Sequence, residues 1–239
     1  MTRTNYVQIL LTILFVAFAT SAYAQKSGND MVAAKKARDD AAVEDLQRIA
    51  VAANASATKS GRFDDYAELA QIQIYLCEAI ESHHDDAIFK TAAEEGVKAA
   101  EQAARIKPDS SLGHQLLGDL LNQLIPHEFG GGMKLGNRAN DELDKALKLD
   151  PSNAEAMVSR AISYHYTPTA FGGDKQKAVA LLSKAARTDE AFDSPHIWLA
   201  LFYLEDGQIK EAASEIVTAL KLNPNRAFTK YVALQIKAK

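Results

Sequence analysis

From Asp30 to the end of the chain, apolar side chains recur at three- and four-residue spacing, and no useful length of strand-type alternation interrupts them. The pattern predicts helices broken at regular intervals. Arg105-Ile-Lys-Pro108, Leu149-Asp-Pro151 and Leu222-Asn-Pro224 each close a helical stretch, and Arg187-Thr-Asp-Glu190 falls where a fourth such phrase belongs. Proline suits these places because it cannot continue a helix and steers the residue before it away from helical geometry.

Between these stops the same anchors return. In the last unit Leu199, Ala200 and Tyr203 lie on a first helix and Ala212, Ile216 and Ala219 on a second, with Gly207 between them. Small residues let two antiparallel helices approach closely, and the larger ones fill the space between. Leu117, Gly118 and Leu121 answer Ala139, Leu143 and Ala146 in an earlier unit, and Arg160, Ala161 and Tyr164 answer Ala178, Leu182 and Ala185 in the next. A weaker unit sets Leu76, Cys77 and Ile80 against Gly96, Ala100 and Ala103. The interval between first-helix and second-helix anchors is 9 residues in the last unit but 16, 18 and 14 in the preceding three, so all the extra length falls in one turn. Two stretches stay outside the pairs. Asp30–Ala57 reads as one long Ala-rich helix, and Arg226–Ala238 places Phe228, Tyr231, Val232 and Ile236 on one side of another.

These anchors and closing phrases resemble the tetratricopeptide repeat (TPR) pattern from about Tyr66 to the C-terminus. The resemblance implies an all-α, right-handed superhelical solenoid of about four helix pairs, closed at each end by a capping helix, and the superfamily mostly binds peptides or partner proteins. The expected divisions are an N-terminal cap over 25–60, repeats over 61–108, 109–151, 152–190 and 191–224, and a C-terminal cap over 225–239. Arg160 at a usual Leu position and Glu190 in place of proline make the third repeat the least regular.

The first two dozen residues read differently. Arg3 precedes a mostly apolar run from Val7 to Ala19, and Ala22-Tyr23-Ala24 supplies a small-residue cleavage pattern. This is the layout of a secretory signal peptide over 1–24, which predicts export, to the periplasm of a Gram-negative cell or to the medium, with no stable membrane anchor once it is removed. Together with the glycine-bearing turns, it resembles exported bacterial TPR proteins of the TRAP-transporter T-component type. Cys77 is the single cysteine, so an intrachain disulfide is excluded, and its apolar neighbours read it as a buried small hydrophobe. A net charge of −4 without a basic stripe argues against nucleic acid as a partner.

Two of the long turns share a phrase, Pro126-His-Glu-Phe129-Gly130-Gly131 and Pro168-Thr-Ala-Phe171-Gly172-Gly173. They are read either as shaped turns, each phenylalanine folding back as an anchor, or as a rim on one edge of the solenoid where Phe129 and Phe171 meet a ligand. The family's geometry directs Leu112, Gln115, Asp119 and Asn122 inward, then Glu155, Val158, Ile162 and His165, then Ser194, Ile197, Leu201 and Leu204. No Lys or Arg stands among them, which argues against a clamp for a peptide's terminal carboxylate. Val158, Ile162, Ile197, Leu201 and Leu204 instead form an apolar patch that calls for a cover: the terminal helix, a second copy, or an apolar small molecule.

Chemistry is sparse. His83-His84-Asp85-Asp86 holds metal-ligand residue types, but adjacent residues rarely converge on one ion. His127-Glu128 lacks the spacing of a helical zinc motif, and neither a nucleophile motif nor a phosphate loop is present. The expectation is a non-enzymatic, cofactor-free scaffold that binds a protein or itself through an apolar concave surface. The alternative is a small-molecule or lipid-binding accessory subunit of a transport system.

Overall fold

The computed structural model describes residues 30–81 and 85–239. The signal segment and the His83-His84 pair lie outside them. Helix α1 covers 30–39 and is followed by α2 (Val43–Ser60), α3 (Phe63–Glu81), α4 (Asp86–Ile106), α5 (Ser111–Leu124), α6 (Gly131–Leu149), α7 (Ala154–Tyr166), α8 (Lys175–Thr188), α9 (Ser194–Glu205), α10 (Ile209–Leu222) and α11 (Ala227–Lys237). No strand occurs among the described residues.

The helices pack as four antiparallel pairs, α3 with α4, α5 with α6, α7 with α8 and α9 with α10. First helices also touch each other, α3 with α5, α5 with α7 and α7 with α9. They run in the same direction and form the inner layer. Ala139, Ala146, Ala161, Ala178, Ala185, Ala200, Ala212 and Ala219 are all fully buried where the helices come closest. A Cβ on Gly118 would sit 2.6 Å from Cγ of Leu143, so only glycine permits that approach. The starts are capped by side chains: Asp85, Ser110, Asn153 and Asp174 accept from the amides of Ile88, Gly113, Ala156 and Lys177. In the last pair Asp193 occupies the N-cap and Ser194 is already helical.

The N-terminal cap is two helices, not the single one its composition suggests. Ala41 adopts left-handed geometry (φ 51°), and the amide of Ala42 donates back to the carbonyl of Ala37 at 2.8 Å. The reversal lays α1 beside the first repeat, with Ala34 and Ala37 in the same core as Leu46, Leu76 and Ile80. At the other end, Val232 and Ile236 of α11 pack with Ile197, Ala200 and Ile216. Helix α11 also reaches α3, and Asn223 donates to Asp39 at 3.2 Å across 184 residues of sequence. The two ends of the solenoid therefore meet.

Candidate functional site

Arg226 makes that closure. Only 5% exposed, it donates to both Glu78 carboxylate oxygens (2.7 and 2.5 Å), to Asp193 (2.9 Å) and to the Ser194 hydroxyl (2.8 Å). Arg38 of α1 stands 3.8 Å from Glu78 and lies over the Tyr75 ring. Burial opposes the charge on Arg226, but Glu78 and Asp193 more than offset it and raise the pKa of the guanidinium above its usual value.

The closure changes the groove from the one the periodicity suggests. Ile197 is fully buried, in the core that α11 completes. Val158 is buried in the neighbouring core, where Ile162 packs against it. Leu201 bridges the two cores, and Leu204 packs against the one α11 completes. Ile197, Leu201 and Leu204 thus pack in the core that the chain's own last helix completes, whereas Val158 and Ile162 of α7 lie in the neighbouring core, which holds no α11 residue. The remainder of the inner wall is polar. Asn122 donates to the Ser159 carbonyl and to Ser163, tying α5 to α7. One turn before it lies Asp119, which accepts from Gln123 and Ser159. Burial pushes its carboxyl up to about 6, the two hydrogen bonds oppose that, and the charges of Glu78 and Glu155 add to it.

Where the first helices begin, a cleft of about 390 Å³ opens between Gln71 of α3, Leu112 and Gln115 of α5, Glu155 of α7, and the turns holding Asp150–Asn153 and Thr188-Asp189. At the opposite ends of α5 and α7 stand the two Phe-Gly-Gly turns. Each begins with a single 3-10 turn, Ile125–His127 or Thr169–Phe171, and each puts its first glycine in left-handed geometry (φ 69° and 93°). A Cβ on the second glycine would meet the carbonyl oxygen six residues earlier, at 2.2 Å for Gly131 and 1.7 Å for Gly173. The two phrases thus share these glycine constraints, although the 3-10 turn falls two positions later in the second. Their phenylalanines do not fold back as the anchor reading expects: Phe129 is 96% and Phe171 77% exposed. The left-handed glycine turns the chain back toward the helix while the ring just before it points away. His127 packs instead, stacked on Phe89 at 4.3 Å.

The remaining candidates are structural. His114 is buried between Glu142 (2.5 Å) and the Pro108 carbonyl (2.9 Å), and His196 meets Glu215 at 2.6 Å in the equivalent place. Each histidine thus faces a glutamate on the second helix of its pair. Cys77 is buried with its thiol toward the Phe89 carbonyl, and burial pushes its pKa up. Its alkylation by iodoacetamide should therefore be negligible in native buffer and complete in denaturant, as followed by mass spectrometry. No three His, Cys, Asp or Glu side chains among the described residues come together as metal ligands. No helix of the described residues is long and apolar enough to cross a membrane.

The solved structures similar to this chain are helical-repeat proteins. The thermophilic TPR protein TTC0263 of Thermus thermophilus matches with a TM-score of 0.64 at 17% identity, over 87% of this chain and 99% of that one. YrrB, a TPR protein with an unusual peptide-binding site, gives 0.43 at 13% identity over 77% and 98%. MamA of Desulfovibrio magneticus gives 0.39 at 15% over 71% and 93%. No family model matches the sequence, and no curated protein does. The first superposition defines the class: the fold is a tetratricopeptide-type solenoid. The narrower likeness to the transporter T-component has no counterpart among these three structures.

Proposed function

We propose that the chain is an exported, non-enzymatic scaffold that holds a segment of a partner protein against the open, polar part of its concave wall. The observation that carries this reading is the contrast along one surface: Ile197, Leu201 and Leu204 pack in the core that α11 completes, whereas Gln115 and Glu155 line an open cleft and pair with no cation. Export rests on the N-terminal signal pattern alone.

A photo-crosslinking side chain at Leu112, on the lip of the cleft, should capture a defined partner from the native envelope fraction. The same probe at Val217, exposed on the outer helix α10, should not. Equal capture at both positions, or none from Leu112, would overturn the reading. Phe129→Ser with Phe171→Ser should change stability by no more than about 0.5 kcal/mol in a urea titration, since neither ring is covered. Loss of capture at Leu112 in that folded double variant would extend the contact to the aromatic rim.

A further inference from the structure

Gln115 is the unusual member of the cleft. It is only 2% exposed, yet its amide makes no side-chain hydrogen bond to any described residue, and it lines the open space. Its amide atoms reach the open space instead of being sealed in the interior, so they are available to whatever occupies the cleft. Beside it stands Glu155, in the first turn of α7, whose carboxylate likewise has no partner. The other carboxylates of the cleft are in use: Asp150 accepts from the Ser152 amide and hydroxyl, and Asp189 from the Ala191 amide. One turn beyond Gln115 lies Asp119, on which the charge of Glu155 acts.

Nearby cations do not answer these groups. Arg226 and Arg38 are committed to Glu78, Asp193 and Asp39. Lys184, at the rim, donates to the Pro151 carbonyl and forms no ion pair with a cleft carboxylate. The cleft is thus left with the Glu155 carboxylate and the Gln115 amide. A metal ion fits poorly, because these groups are spread along two helices and do not converge on one point. An elongated cation, with its charge at one end and further hydrogen-bonding groups along its length, fits the spacing and the volume.

We propose that this cleft binds an organic cation, an alkylammonium or guanidinium group, held by the carboxylate of Glu155 with the Gln115 amide oxygen as neutral acceptor. The assignment deepens the scaffold reading and rests on it: in a partner segment the cation is a Lys or Arg side chain. A free polyamine offers the same chemistry from another source.

Calorimetric titration of the full chain at low and at moderate salt separates these cases. The probes are the blocked peptide Ac-Gly-Arg-Gly-Lys-Gly-amide, its Glu/Asp counterpart, and spermidine. Saturable one-to-one binding of a cationic probe is expected, with no binding of the acidic peptide. Glu155→Gln and Gln115→Met should each weaken it by about tenfold or more, the effect of losing a charge-assisted or buried hydrogen bond. Glu211→Gln, on the outer helix α10, should leave it unchanged. Circular dichroism and urea midpoints confirm that each variant is folded. Binding of the basic peptide supports the assignment with a protein segment as source, and binding of spermidine alone supports it with a free amine and removes the partner-segment reading. Failure of both cationic probes overturns the assignment, as does equal weakening by Glu211→Gln, which would mean attraction by overall charge. If the Leu112 crosslinker captures a partner while neither cation binds, the groove reading stands and the cation assignment alone falls.

Discussion

Arg226→Met is expected to lower the stability of the protein by about 3–5 kcal/mol, the cost of breaking a buried ion cluster from one side. Methionine fills much of the same volume, so the loss is electrostatic. It strands Glu78 against a single remaining cation at 3.8 Å and leaves Asp193 buried without its guanidinium. The measured cost has a ceiling, the free energy with which α11 docks, because a detached helix readmits water to both carboxylates. Hydrogen exchange therefore belongs beside the urea titration. Protection should fall first in α11 and in α1, and least in the α5–α8 pairs, where contacts are local and a repeat array opens from its ends. Adding Glu78→Gln to Arg226→Met should recover part of the loss, since the stranded charge is then gone. An unchanged midpoint together with unchanged protection in α11 would show that the closure rests on apolar packing alone.

This closure marks where the sequence stops being legible. The four helix pairs can be read because each rests on contacts within a few dozen residues: Ala161 against Ala178 and Ala185, or Gly118 against Leu143. The family resemblance also implies which side chains of the first helices face inward, and Gln115, Asp119 and Glu155 are among them. It does not say which of those the fold later covers. That depends on where α11 lands, and the pairing that places it joins residues 148 positions apart. The break in the N-terminal cap is hidden for a related reason. Ala41 has no local excuse for left-handed geometry, which costs a non-glycine residue roughly 1–2 kcal/mol. The turn persists because it brings Arg38 over Tyr75 and beside Glu78. The phenylalanines of the two long turns show the opposite failure: the repeated phrase is plain in the sequence, but the direction of each ring follows from a 3-10 turn and a left-handed glycine that composition does not orient.

Asp119→Asn should make the protein more stable at pH 7.5, by about 1–3 kcal/mol, and equally stable at pH 3.5. Its carboxyl, pushed up to about 6 chiefly by burial, lies above the 3.8 of a free aspartate, so folding takes up a proton between those values. Below them both states are protonated and the residue costs nothing. As pH rises through the window the native state ionises reluctantly, and above about 6 the full penalty stands. The groups facing it do not reverse the sign: Glu78 and Glu155 add negative charge, and the Cys77 thiol is held protonated by its own burial. Asparagine retains the oxygen that accepts from Gln123 and Ser159, so the difference between variant and parent, measured in urea from pH 3.5 to 7.5, isolates the ionisation. A parent that gains stability relative to the variant as pH rises would sink the argument.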